Sequence, residues 1–295
     1  MMIRSVAVIG IGAMGAPMAR RVRAAGFELT VCDRNAAAMA AFVGIGASVA
    51  PKPADCAGAD VVLILVATPE QVREVILGER GVLAGVIAQR PPVLAVMSTV
   101  SAEVLEDISR QLPSTVRMID APISGGVRGA EQGKLTILTG GDEQDIEAVK
   151  PVFANLGTQQ IHCGRLGTAQ STKIINNVLG CSIAVIAGEA YRLAIERGLD
   201  SARVSRVLEA CSGRCIRSKD PDGPQAGYAE LAHDRNAYAG IAAIMRKDLG
   251  LAVEMVSHAN GEYPAIRALK TLIESLGDET FDNWRRIAEL PAVCD

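Results

Sequence analysis

Residues Ile3–Asp33 read IRSVAVIGIGAMGAPMARRVRAAGFELTVCD. Ile3 to Ile9 is a short run rich in β-branched residues, which predicts a buried strand. It leads into Gly10-Ile11-Gly12-Ala13-Met14-Gly15, and a helical pattern follows through Met18, Val22 and Ala25 before stopping at Gly26. Glu28 to Cys32 predicts a second strand, which ends on Asp33. The first glycine permits a tight turn, the second lets a pyrophosphate approach the backbone, and the third lets helix and strand pack closely. The helix N-terminus then faces the phosphates. A lone GxGxxG carries little weight, but here strand, loop, helix, strand and acid stand in order, as a dinucleotide-binding unit requires. A glycine turn serving packing alone would leave the acid unexplained. Asp33 is expected to accept hydrogen bonds from ribose hydroxyls and to repel a 2′-phosphate, favouring NAD over NADP. Arg34 works against that preference, since a guanidinium there suits a phosphate.

The alternation continues outward. Val61 to Val66, Val93 to Met97, Val116 to Ile119, Leu135 to Thr139 and Gln159 to His162 predict strands, with helices from Glu70, over Ser101 to Leu112 and over Asp142 to Phe153. Strands alternating with helices predict an α/β, Rossmann-type, doubly wound parallel sheet. Ligands of such sheets bind beyond the C-terminal strand ends. Thr68, Ser98-Thr99 and Ser124-Gly125-Gly126 fall there.

Past about residue 165 the pattern becomes helical throughout: Ala169 to Arg197, Ser201 to Cys211, Ala239 to Ala259, Pro264 to Leu276 and Glu279 to Glu289. The polar stretch 218–227 reads as a loop between two of them. The expected organisation is a dinucleotide-binding domain over residues 1–164 and an all-α domain over 165–295, joined through a long interdomain helix. That helix begins within GRLGTAQSTKIINNVLGCSIAVIAG, Gly164 to Gly188. Lys173 and Asn177 are an i,i+4 pair and point the same way. Gly180, Ala184 and Gly188 continue the stripe and should let neighbouring helices pack closely. An ammonium and an amide on a face of small residues look like a reacting centre.

Composition narrows the classes of function. The chain has 295 residues, 49% hydrophobic and 21% charged, with a net charge of -3. No basic cluster interleaves with aromatics, which argues against a nucleic-acid partner. Seven cysteines without a CxxC pair, and three histidines without metal-ligand spacing, predict reduced thiols, a cytoplasmic protein and no metal site. The N-terminus does not read as a signal peptide. The apolar runs Val61 to Ala67 and Val178 to Gly188 fall short of the roughly 20 residues of a membrane span, so no membrane association is expected.

VIGIGAMGAPMA, STVSA, DAPISGGVRGA and GTAQSTKIINN, with KDLGLA further on, resemble in order and spacing the β-hydroxyacid dehydrogenase family, over essentially the whole chain. The resemblance implies a Rossmann domain, a long connecting helix and an all-α domain. It also implies hydride transfer between NAD and a small, carboxylate-bearing 3-hydroxy acid or its semialdehyde, in a homodimer or homotetramer. Lys173 matches the family's catalytic lysine and Asn177 the amide that helps hold the substrate. Ser124, Gly125 and Gly126 match the substrate loop. Thr99 lies where the nicotinamide side is contacted, Val66 and Ala67 where a Leu-Pro pair commonly touches the cofactor, and Lys247 matches a lysine near it. Departures are Ala169 for a glycine, Ala67 for a proline, Arg128 in the substrate loop, and Gly240 where an aromatic usually stands. Arg128 leaves open a substrate with a second anion, such as a phosphorylated, sulfonated or sugar acid.

Alcohol oxidation by hydride transfer needs a group to take the hydroxyl proton, and reduction needs the same group to return it. A lysine does both when burial or nearby cations bring its pKa towards neutrality. A non-catalytic dinucleotide-binding module is the contrasting reading, and its expected mark, a lost lysine, is absent.

Overall fold

The computed structural model describes residues 3–218 and 223–289. It comprises two compact units, Met1–Lys173 and Ile174–Asp295. The first holds one sheet of β1 (Ser5–Ile9), β2 (Glu28–Cys32), β3 (Ser48–Val49), β4 (Val61–Ile64), β5 (Val93–Val96), β6 (Arg117–Asp120), β7 (Ile123–Ser124), β8 (Leu135–Gly140) and β9 (Gly157–Gly164). The strand order is β3-β2-β1-β4-β5-β6-β8-β7, with β9 paired to β8. From β3 to β6 all neighbours are parallel, in the order that places a dinucleotide across the point where the sequence of strands reverses.

The sheet is not parallel throughout, as the alternation had suggested. β8 runs antiparallel to β6 and β7 and carries β9 parallel to itself. The cause is length: residues 125–134 are too few for a parallel crossover, which needs about a dozen or more. β3 and β7, two residues each, are too short for a hydrophobic period to reveal them.

The helices of this unit are α1 (Gly15–Ala24), α2 (Ala36–Val43), α3 (Pro69–Leu77), α4 (Ala102–Gln111), α5 (Gly126–Gln132) and α6 (Glu143–Phe153). They bury two apolar clusters. One contains Val8, Met18, Val31, Leu63 and Phe153; the other contains Ile9, Ile64, Ile76, Leu94 and Ile108. Successive residues of β4 enter opposite clusters, which is why that strand reads as an unbroken apolar run.

α7 (Thr168–Glu196) is 29 residues long. The division between the units falls within it, after Lys173. α8 (Ser201–Ala210), α9 (Gly223–Leu231), α10 (Arg235–Ser257), α11 (Pro264–Glu274) and α12 (Asp278–Ala288) complete the second unit. Its core includes Tyr191, Tyr228, Tyr238, Phe281 and Trp284, with Tyr228 and Trp284 ring centroids 5.6 Å apart.

α9 starts inside the stretch read as a loop; residues 219–222 of that stretch lie outside the described residues. Just past that stretch, Tyr228 is fully buried and donates to the Ala184 carbonyl at 2.7 Å. The small-residue stripe on α7 is partly what it promised. A Cβ on Gly188 would lie 2.6 Å from the Trp284 Nε1, so the glycine admits the indole, whereas Gly180 faces open space.

The expectation about membrane-spanning length is also corrected. By length and composition α7 could cross a membrane, with a window of mean hydropathy 1.6 of which 33% is buried. Taken singly its apolar runs are short, but the helix joins them across Asn176-Asn177 into one segment. Cys181, Ala184, Val185 and Tyr191 enter the core of the second unit. Ile175, Leu179, Ile186 and Leu193 are exposed.

Candidate active site

The glycine loop separates its three glycines by what surrounds them. Gly10 has φ +96, and a Cβ there would lie 2.3 Å from the Leu65 carbonyl oxygen. One on Gly15 would lie 1.8 Å from the Gly10 carbonyl oxygen, backbone against backbone. One on Gly12 would meet nothing within 4 Å. The outer two glycines are needed by the fold, and the middle one leaves room for a ligand. Behind the loop, α1 starts at Met14 with no side-chain cap and no acid in its first turn, so its leading N–H groups are suited to an anion.

Gly10 and Gly12 line a cavity of about 490 Å³ together with Asp33, Arg34, Val66 and Ala67. Ile11, whose side chain is buried, and the loop residues Ala13 and Met14 do not line it. Asp33 has a second task that the sequence did not show. Its Oδ2 accepts from the Ile11 N–H at 2.6 Å and its Oδ1 from the Asn35 N–H at 2.8 Å. The acid therefore ties the end of β2 to the glycine loop. Lys52 and Arg80 join Arg34 on the wall and Glu74 joins Asp33, so the cavity carries three cations and two acids. A glycine cradle, an uncapped helix start and a strand-end carboxylate at one cavity fit a dinucleotide.

Three further strand ends are linked through hydrogen bonds to the start of α7. The Ser98 hydroxyl donates to the Val66 carbonyl at 2.7 Å. The Gln170 side chain donates to the Ser98 carbonyl at 2.8 Å and accepts from the Val100 N–H at 3.2 Å. Asp120, at the end of β6, accepts from the N–H groups of Gly167 and Gln170 at 2.9 Å each. Its carboxylate thus caps α7 from another element. Burial pushes the Asp120 carboxyl above its ordinary value, opposed by those N–H bonds. Thr99 alone is partly exposed within 92–100.

Lys173 lies one turn after Gln170 and is buried, with 7% of its surface exposed. Asn177, one turn further, donates through Nδ2 to Asp248 Oδ2 at 2.5 Å. Asp248 is itself buried, with Lys247 Nζ 2.7 Å from Oδ1; that contact is close but off the line of a hydrogen bond. Lys247 is therefore joined to Asn177 through Asp248. A carboxylate only accepts, so this contact identifies which end of the Asn177 amide is the donor.

The remaining expected residues are less constrained. Ser124 lies in β7 and pairs with Thr136. Gly125 and Gly126 follow it at φ 130 and φ 63, conformations a side chain would strain. Arg128 is on the exposed side of α5. Gly240 faces open space. Tyr238 does not replace the missing aromatic, because it is buried and its hydroxyl donates to the Gly277 carbonyl at 3.0 Å. Sequence reasoning missed Gln170 and Asp248. Both stand among other polar residues, in Ala169-Gln170-Ser171-Thr172 and Arg246-Lys247-Asp248, so no local pattern singles them out.

Residues 5–164 match the family described as the NAD binding domain of 6-phosphogluconate dehydrogenase. Residues 167–285 match that described as NAD-binding of NADP-dependent 3-hydroxyisobutyrate dehydrogenase. A probable mitochondrial 3-hydroxyisobutyrate dehydrogenase of Dictyostelium discoideum is 35% identical, over 85% of this chain and 78% of its own. An NAD-dependent L-serine dehydrogenase of Pseudomonas aeruginosa is 33% identical, over 89% and 88%. The solved structure of the Mycobacterium tuberculosis 3-hydroxyisobutyrate dehydrogenase with L-serine superposes with a TM-score of 0.79 at 28% identity, covering 93% of each chain.

Proposed function

The chain belongs to the β-hydroxyacid dehydrogenase family, that of the 3-hydroxyisobutyrate dehydrogenases, and from that premise we propose that it interconverts a small 3-hydroxy carboxylate and its semialdehyde with NAD, Lys173 carrying the hydroxyl proton. The observation that carries the reading is the burial of Lys173 on a helix whose start is bonded to the strand ends of a nucleotide-binding sheet. Bound NAD supplies the hydride acceptor, and NADH the donor in reverse.

The protein's own part is position and proton. The Gly12 N–H side of the loop and the start of α1 receive the pyrophosphate, and Asp33 the ribose hydroxyls. The family resemblance assigns Val66, Ala67 and Thr99 to the cofactor's other sides. Lys173 takes the substrate proton as its unprotonated amine and returns it as the ammonium. Burial keeps water from competing for that transfer. Asn177 presents its amide to the substrate hydroxyl, oriented by Asp248. The backbone N–H groups of Ser124-Gly125-Gly126 suit the substrate carboxylate, since glycines leave them accessible.

The substrates named for the relatives narrow the class. 3-Hydroxyisobutyrate and L-serine both place a primary alcohol two carbons from a carboxylate and differ at the carbon between. The test follows the NADH absorbance band with 3-hydroxyisobutyrate, L-serine and a phosphorylated sugar acid. Turnover of either of the first two supports the reading. Turnover of the third alone moves the substrate to one that uses Arg128. NAD binding without turnover of any leaves a non-catalytic module.

For the cofactor, Asp33→Ala is expected to weaken NAD by about tenfold or more and NADP by less, because the acid favours a free ribose and repels a 2′-phosphate. Since Asp33 also holds Ile11, NADP binding is expected to fall somewhat too. Calorimetric titration with each dinucleotide checks the order, and a larger loss for NADP overturns the preference for NAD.

A cytosolic location is proposed on the reduced state of Cys32, Cys56, Cys163, Cys211 and Cys215. Homodimers or homotetramers are proposed on the exposed α7 stripe of Ile175, Leu179, Ile186 and Leu193, an apolar row that a second copy would cover. Sedimentation as a single species of 30.9 kDa at micromolar concentration overturns this.

A further inference from the structure

We propose that Gln170 is a positioning residue that sets Thr99 and Lys173 in register, so that the cofactor's nicotinamide end and the proton carrier meet at a fixed spacing. The proposal rests on the reading of Lys173 as the proton carrier and of Thr99 as a nicotinamide contact.

Gln170 is fully buried and uses both ends of its amide on the main chain. The two atoms it holds, the Ser98 carbonyl and the Val100 N–H, bracket Thr99, the one partly exposed residue of that run. A leucine or methionine could fill the same volume, whereas a buried amide is costly unless every polar atom finds a partner. An amide whose donor and acceptor span three consecutive residues fixes the conformation of that loop.

The same residue fixes the helix. Its own N–H donates to Asp120 at 2.9 Å, beside the Gly167 N–H on the other carboxylate oxygen. Gln170 and Lys173 are i,i+3 on α7, so the two side chains leave neighbouring points of one face. Through Ser98 the network reaches the Val66 carbonyl. Val66, Thr99 and the first turns of α7 are thereby referenced to one another through buried hydrogen bonds. Reactions that depend on a near-attack geometry lose about 10²-fold for misplacements near 1 Å.

The test compares NAD with ADP-ribose, which shares the pyrophosphate and both riboses but lacks the nicotinamide. Gln170→Leu is expected to raise the Kd for NAD by about tenfold and to lower kcat by about 10²-fold, with the Kd for ADP-ribose unchanged. Equal weakening of NAD and ADP-ribose makes Gln170 a merely structural residue and overturns the proposal. So do unchanged Kd values with unchanged kcat.

Gln170→Glu covers the case in which the leucine variant fails to fold. A protonated carboxyl can donate to the Ser98 carbonyl and accept from the Val100 N–H as the amide does, while an ionised one cannot donate. NAD affinity in this variant is expected to recover towards the parent value as pH falls, with ADP-ribose affinity flat. Affinity for NAD that does not respond to pH overturns the proposal. Failure of the proton-carrier reading shows separately, as Lys173→Met retaining full kcat, while the NAD against ADP-ribose comparison needs no turnover.

Discussion

Lys173→Met is expected to lower kcat by about 10²- to 10⁴-fold, the range of general acid–base catalysis, while the Kd for NAD stays within about twofold. That loss corresponds to roughly 2.7 to 5.5 kcal/mol of barrier. Methionine keeps an unbranched, flexible stem of similar reach and removes only the charge-bearing end. The site is buried, so exchanging an ammonium for a thioether does not lower Tm through lost solvation. The sign of the pH dependence separates the chemistry from packing. Oxidation needs the unprotonated amine and reduction the ammonium, so raising the pH should favour the first rate and disfavour the second. Both dependences should be lost in the variant. Steady-state kinetics in each direction, with NAD binding measured by calorimetry, check the outcome. Equal loss of rate and NAD affinity would make Lys173 a structural residue, and undiminished kcat would end the mechanism.

The residues that set this chemistry were unequally visible in the sequence. Lys173 and Asn177 stood out because helical spacing places them on one side and their neighbours are small or apolar. The glycine loop was legible for a similar reason: its context of strand, helix and terminal acid is contiguous in the chain, and local pattern reports contiguous features well. Gln170 and Asp248 were not legible. Their partners, Ser98 and Asn177, lie 72 and 71 positions away, and no periodicity encodes a contact of that separation.

The antiparallel return of β8 escaped for a different reason. Alternation of strand and helix predicts a crossover only when the connection is long enough, and α5 is too short to supply one. Gly240 and Tyr238 show the limit from the other side. Both sit near the expected aromatic position, yet one faces open space and the other has its hydroxyl engaged elsewhere.

Gly12→Ala and Gly15→Ala differ by three positions and should fail in opposite ways. At Gly15 the new methyl would lie 1.8 Å from the Gly10 carbonyl oxygen. Neither atom belongs to a flexible side chain, so the start of α1 must move away from the end of β1. Overpacking of this kind costs about 3 kcal/mol or more, and a drop in Tm of roughly 6 to 12 °C follows for a unit of this size. At Gly12 the methyl meets no protein atom within 4 Å, and φ is not positive. The fold should therefore tolerate it, with Tm within about 2 °C, because a small change at an open surface position rarely exceeds about 0.5 kcal/mol. What the methyl occupies is the space through which a pyrophosphate would reach the backbone N–H groups, so NAD affinity should fall by about tenfold or more. Thermal unfolding without ligand, followed by calorimetric titration with NAD, reads both effects on the same samples. Undiminished NAD binding by the Gly12 variant would remove the pyrophosphate from this loop. An unshifted Tm for the Gly15 variant would mean that α1 is free to shift, and the glycine would then have no structural reason to be there.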